Sequence, residues 1–235
     1  MTDNKRQARI AGFLYLLVAI TAPYGLMVVP ARLVVAGDPA ATSALIAAHG
    51  AMLHLGMASE LFHQAVEVFM VLVLYNLFKP VNKTLAQQML VLGLVPIPMV
   101  FLNVLGEVAA STVASAPAWL SAFGKPQLDA LALLLMNLHA QGLQLAAVFW
   151  GLWLLPLGLL ALRCGFIPKV FGWLVIASSL GYVLGSFTSL IAPGLAATLG
   201  TPVFVLELGE PMMILWLVLV GARTKPLATA AALPA

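Results

Sequence analysis

The sequence predicts an all-α membrane protein, a bundle of six transmembrane helices with both termini in the cytoplasm. Three observations lead there. Of 235 residues, 63% are hydrophobic and only 8% charged, against about 25% charged in a soluble chain. The apolar residues gather in runs of membrane-spanning length separated by polar breaks. Lys5, Arg6, Arg9, Lys79, Lys83, Arg163, Lys169, Arg223 and Lys225 fall on one side of those runs, and only Arg32 and Lys125 on the other. That is the positive-inside pattern.

The first span, near 8–30, follows a basic start and carries Pro23 and Pro30 toward its far end. Its apolar run is too long for a signal-peptide core and has no small-residue cleavage site behind it. The second, near 51–78, passes through the turn KPVNK (Lys79 to Lys83) into the third, near 84–114, where Pro96 and Pro98 predict a kink. The fourth, near 127–162, exceeds what a bilayer needs, so it is tilted, bent near Pro156 or begins along the interface. RCGFIPK (Arg163 to Lys169) leads to the fifth, near 168–191, and Thr201-Pro202 opens the sixth, near 202–222.

The outer loops hold two short surface segments, ATSALIAAHG and PAWLSAF. Residues 1–226 form a single domain without internal repeats, and 227–235 a flexible tail. Trp150, Trp153, Trp173 and Trp216 lie toward cytoplasmic span ends, where aromatic belts form. The lone Cys164 excludes an internal disulfide and a thiol metal motif. Basic residues this few and scattered exclude a nucleic-acid partner. The lipid bilayer is the first partner, and a homo-oligomer is compatible with the pattern.

The carboxylates carry the functional signal. All five glutamates, Glu60, Glu67, Glu107, Glu207 and Glu210, fall inside spans, where no Lys or Arg stands to pair with them. A charge at the centre of a span costs at least about 2.5–3.5 kcal/mol. Such groups are therefore protonated, face water or bind a cation. At about 1.5 Å per residue, Glu60 lies about 14 Å below the outer start of its span, Glu107 about 10 Å below its outer end, and Glu207 and Glu210 about 8–12 Å down. His63 and His139 come at about 18 Å.

Helical spacing puts Glu60, His63, Gln64 and Glu67 on one stripe, and Asn103 with Glu107 on another. Ser178, Tyr182 and Ser186 form a milder one. On the fourth span, Asn137, Gln141 and Gln144 share one face while His139 points nearly opposite. Only one of those sets can face the cluster.

Several readings follow. In the first, Glu60, His63, Glu107, His139, Glu207 and Glu210 ligate a divalent metal, with Glu67 as catalytic base. Asn103, Gln64, Tyr182 and Ser186 then support the site or contact substrate. Glu60-x-x-His63 has the spacing of carboxylate di-metal bundles, and oxygen with imidazole suits iron, manganese or zinc. A second Glu-x-x-His is missing, because Met136 stands three before His139. The activity would be an enzyme's, on a membrane-accessible small molecule or lipid.

In the second, the same groups relay protons or cations for a small-solute transporter, with Pro-broken spans three and six as gates. In the third they are interhelical hydrogen-bonding groups and nothing more. A haem between His63 and His139 is a further class, but no paired-histidine pattern supports it.

RIAGFLYLL, KPVNK, NLHAQG, RCGFIPKVFGWL, LGYVLGSF and LGEPMMILWLVLVG occur in this order along nearly the whole chain. Together they resemble the domain of unknown function 4386 family of bacterial membrane proteins. The resemblance implies a multi-pass protein of the bacterial inner membrane and assigns no activity. It also implies matched acidic positions at Glu60 and Glu67, an amide at Asn103, and a His and a Glu at His139 and Glu210. His63, Glu107 and Glu207 fall outside that matched pattern.

Overall fold

The structure, a computed structural model, describes residues 3–223. Lys225 and the tail expected over 227–235 lie outside the described residues. Six helical stretches are long and apolar enough to cross a membrane: Asp3–Leu33, Gly50–Phe78, Lys83–Ala114, Lys125–Arg163, Lys169–Ile191 and Thr198–Leu219. Among the described residues there is no strand. This is a multi-pass membrane protein, all-α as its hydropathy pattern requires.

Among the described residues there are ten α-helices, nine of them in these stretches. α1 (Asp3–Pro23) runs through a π-helical turn (Tyr24–Val28) into α2 (Val29–Leu33). α3 (Pro39–Ala48) contains the segment ATSALIAA between the first two spans; Asp38 caps it, its carboxylate accepting from the Ala41 amide at 2.9 Å. α4 (Gly50–Phe78) is the second span. α5 (Lys83–Leu94) and α6 (Pro96–Ala114) make the third, broken at Val95 because Pro96 has no amide proton to continue the ladder. A 3₁₀ turn (Ala118–Leu120) occupies the loop between α6 and the next helix.

α7 (Lys125–Arg163) carries Pro156 without interruption, and α8 (Lys169–Ile191) follows the RCGFIPK turn. The last span begins earlier than Pro202: α9 (Pro193–Glu207) starts on Pro193, a residue suited to the first helical turn, and tolerates Pro202 inside it. It then breaks at Leu208 before α10 (Gly209–Leu219). Pro211 leaves the Glu207 carbonyl without a helical donor, and Ser178 Oγ stands 3.3 Å from it and 2.9 Å from the Leu206 carbonyl.

The chain forms two compact units. One comprises Leu17–Glu67 and Val95–Ala147. Its core gathers Val29 and Leu33 of α2, Ile46 of α3, Leu53 and Met57 of α4, Val104 and Ala110 of α6 and Met136 of α7. The other draws on the described residues of Met1–Leu16, Val68–Leu94 and Val148–Ala235. Its core holds Met70, Leu74 and Phe78 of α4 with Leu154, Leu157 and Leu160 of α7, Val175 of α8, and Met213 and Leu217 of α10.

Trp153 belongs to that core, packed against Tyr15 with ring centroids 5.7 Å apart, whereas Trp173 is exposed. The aromatic-belt expectation therefore fails for Trp153. Gly158 and Gly172 let α7 and α8 meet at backbone distance, since a Cβ on either would stand 2.8–2.9 Å from the other's carbonyl. Cys164, in the α7–α8 turn, is buried, which pushes its thiol pKa up.

Candidate metal centre

Three helices of the first unit each deliver one ionisable group to a common point: Glu60 from α4, Glu107 from α6 and His139 from α7. All three are buried, with exposures of 0%, 0% and 1%. One ligand atom from each lies within 4.8 Å of the others. His139 Nε2 is 3.4 Å from Glu60 Oε1 and 3.9 Å from Glu107 Oε1. Four ligands at 2.0–2.2 Å around a metal stand about 3.3–3.6 Å apart, so small carboxylate rotations would close the triad on an ion.

The decisive feature is what these atoms lack. Glu60 Oε1 and Oε2, Glu107 Oε1 and Oε2, and His139 Nε2 are all buried without a hydrogen-bond partner. Buried polar atoms are overwhelmingly paired, and leaving one unpaired costs about 1–3 kcal/mol, more for a charged group. Three converging side chains that carry five such atoms form a group that could hold a metal ion. Among the described residues, neither carboxylate is paired with a lysine or arginine. Two carboxylates and a neutral imidazole carry a charge that a divalent ion balances.

The surroundings fit the triad to that role. Asn103 Nδ2 donates to the His139 carbonyl at 2.8 Å and tethers α6 to α7. His139 Nδ1 lies 3.2 Å from the Asn103 backbone carbonyl and 3.1 Å from Asn103 Nδ2. With its proton on Nδ1, given to the carbonyl, the ring offers the Nε2 lone pair to a metal. Gly25, in the π-helical turn, makes room for Glu60: a Cβ there would come within 2.6 Å of Glu60 Cγ. Single π-helical turns recur at functional sites. Gly142 does the same for Asn103, whose amide occupies the volume a Cβ would need.

The remaining predicted residues have other surroundings. His63 is buried, but both its ring nitrogens are engaged, Nδ1 with the Ser59 carbonyl at 3.0 Å and Nε2 with Gln64 Nε2 at 2.9 Å. Glu67 is buried two turns beyond Glu60 on the same face of α4. Glu207 and Glu210 belong to the other unit. There Glu210 accepts hydrogen bonds from the hydroxyls of Tyr15 and Tyr182, the latter at 2.9 Å. Ser186 donates to the Tyr182 carbonyl at 2.8 Å, within its own helix.

On α7 it is His139 that enters the site, while Asn137 and Gln141 are exposed. Three participants escaped the sequence reading: Tyr15, Gly25 and Gly142. Tyr15 offered a weak signal, as one of three hydroxyl side chains, with Thr21 and Tyr24, in an apolar span. The two glycines offered none, because close approach is a tertiary fact.

A groove of about 400 Å³ opens beside the triad on α4 and α6, lined by His54, Met57, Leu61, Val108, Ser111 and Thr112 among others. Leu61 and Val108 directly follow Glu60 and Glu107.

The family model for the domain of unknown function DUF4386 matches residues 10–221. The chain belongs to the DUF4386 family. No curated protein and no solved structure matches it. Family membership assigns no chemistry to the triad.

Proposed function

We propose that this DUF4386 protein is a divalent-metal-dependent enzyme of the bacterial inner membrane, acting on a small molecule or lipid that reaches it from the bilayer. The observation that carries the reading is the set of five unpartnered ligand atoms on Glu60, Glu107 and His139. Three protein ligands leave a divalent ion with open positions, the arrangement of catalytic rather than structural sites, and such an ion activates water or polarises a substrate oxygen. The donor set suits manganese, iron or zinc.

Asn103 holds the His139 tautomer, and Glu67 is the proton acceptor at the far end of the α4 stripe. The groove beside the triad is apolar around Met57 and Leu61 and polar at His54, Ser111 and Thr112. That gradient suits an amphiphilic substrate. With both termini cytoplasmic, the site lies in the outer half of the bilayer. Asn137 and Gln141, exposed on a spanning helix, suit a homo-oligomer contact, since amides bridge helices in membranes.

A second reading, cation- or proton-coupled transport, draws on the break at Leu208. Discontinuous spans with freed carbonyls line transporter sites, and Glu210 opens α10 at that break.

The test is the metal content of protein purified in mild detergent, before and after adding Mn²⁺, Fe²⁺ or Zn²⁺. Near one equivalent in the wild type, and background in Glu60→Gln and His139→Ala, is the expected result. A wild type that takes up no ion even when supplied would sink the metalloenzyme and leave transport as the better reading.

A further inference from the structure

Gln64 stands one turn beyond Glu60 on α4 and is fully buried. Side chains on a helix lean back toward its N-terminus, so Gln64 leans over the turn that carries Glu60. Its amide orientation is determined by His63. A Gln64 N–H placed 2.9 Å from His63 Nε2 can only donate, so that ring nitrogen is bare and the ring proton sits on Nδ1, given to the Ser59 carbonyl at 3.0 Å. Flipping the amide would need a proton on Nε2. In a neutral ring this leaves bare Nδ1 against the Ser59 carbonyl, acceptor to acceptor. The neutral ring therefore fixes which end of Gln64 faces away from it. That end is Oε1, and Oε1 is buried with no hydrogen-bond partner.

We propose that Gln64 Oε1 is the fourth protein ligand of the cation held by Glu60, Glu107 and His139, and that His63 is the residue that positions it. The inference rests on the metal reading and sharpens it. Three oxygens and one imidazole nitrogen make a hard donor set, which favours Mn²⁺ or Fe²⁺, ions that take six ligands and so keep two positions open beside these four. It also gives the Glu60-x-x-His63 spacing a different meaning. His63 acts through the neighbouring amide instead of binding the ion itself.

The experiment is a Mn²⁺ titration of the full chain in detergent, with free ion read by electron paramagnetic resonance, alongside Co²⁺ absorption as a report on ligand number. Gln64→Leu should weaken Mn²⁺ binding at least tenfold and alter the Co²⁺ bands. Gln64→Glu keeps an oxygen at the same reach but loses the donor to His63, and should bind within a few-fold of wild type. His63→Phe should weaken binding two- to fivefold and broaden the Co²⁺ bands, because the amide is no longer pinned. Wild-type affinity and spectrum in a well-folded Gln64→Leu overturn the proposal. So does a Gln64→Glu variant as poor as Gln64→Leu, which would mean that only the contact with His63 matters. A wild type that binds neither ion removes the metal reading itself.

Discussion

Two groups of carboxylates sit inside membrane-spanning helices of this protein, and they differ in their supply of donors. Glu210 receives the hydroxyls of Tyr15 and Tyr182, from α1 and α8. Glu60 and Glu107 accept no hydrogen bond of good geometry, although both are more deeply buried than Glu210, and each lies beside the other and beside His139 Nε2, at 3.4 Å and 3.9 Å respectively. The first arrangement is complete as it stands. The second leaves its carboxylate oxygens without a hydrogen-bond partner. The same residue type in the same apolar setting is thus supplied with donors in one unit and left without them in the other, and on the proposed function that difference separates a structural tie from a binding group.

The largest test of this contrast removes the donors from Glu210. An intramolecular hydrogen bond contributes about 0.5–1.5 kcal/mol net, so Tyr15→Phe with Tyr182→Phe should destabilise the protein by about 1–3 kcal/mol. The loss should be visible as a lower melting temperature in detergent, with metal content unchanged. A double variant that melts like wild type would show that the hydroxyls do not tie Glu210 down. One that loses its metal would show that the two carboxylate groups are not independent.

The second test expects the opposite sign. Replacing Glu107 by Met removes two unpartnered buried oxygens, and filling such a site with apolar volume often stabilises. The metal-free variant should be more stable than metal-free wild type by about 1–2 kcal/mol, and adding Mn²⁺ should raise the melting temperature of the wild type only. If metal-free Glu107→Met melted lower, the carboxylate would be a structural group like Glu210.

The fold was legible because it follows from hydropathy alone. The six runs and the interruption at Pro96 come from local rules, whereas ATSALIAAHG was read only as a surface segment and its helix, capped by Asp38, is a finding of the structure. The break at Leu208 was half legible, since Pro211 announces a lost donor but not the Ser178 hydroxyl that compensates it. Of the site, the residue types and their depth could be read, but not their grouping. Depth along a span is one coordinate. Glu60, Glu107, Glu207 and Glu210 share it approximately, yet which of them converge depends on helix rotation and neighbour choice. The resemblance pattern matched His139 and Glu60 but not Glu107, which the structure brings into the triad. His63 was placed on the correct face, but its commitment to Ser59 and Gln64 is a matter of side-chain torsions. Gly25 shows the limit most sharply. Its importance lies in the Glu60 methylene 2.6 Å from where a Cβ would be, and nothing near it in sequence suggests that neighbour.

The smallest expected effect concerns the support of His139. Loss of a group that orients a metal-bound histidine ordinarily costs about 10–100-fold in affinity. Asn103→Leu should cost less than tenfold. The atom that fixes the metal-binding tautomer is the Asn103 backbone carbonyl, 3.2 Å from Nδ1, and the substitution leaves it in place. The side-chain amide instead donates, and toward Nδ1 it can do so only when that nitrogen is bare, in the tautomer whose Nε2 carries the proton and cannot bind a metal. Removing it withdraws support from the non-binding form while loosening the tether to the His139 carbonyl, so the two consequences partly cancel. A Mn²⁺ titration of Asn103→Leu separates the cases. A hundredfold loss would make the side-chain tether the principal support of the site. A change within a few-fold would leave the backbone carbonyl as that support, and with it the difference between a histidine held ready for an ion and a glutamate already supplied with protons.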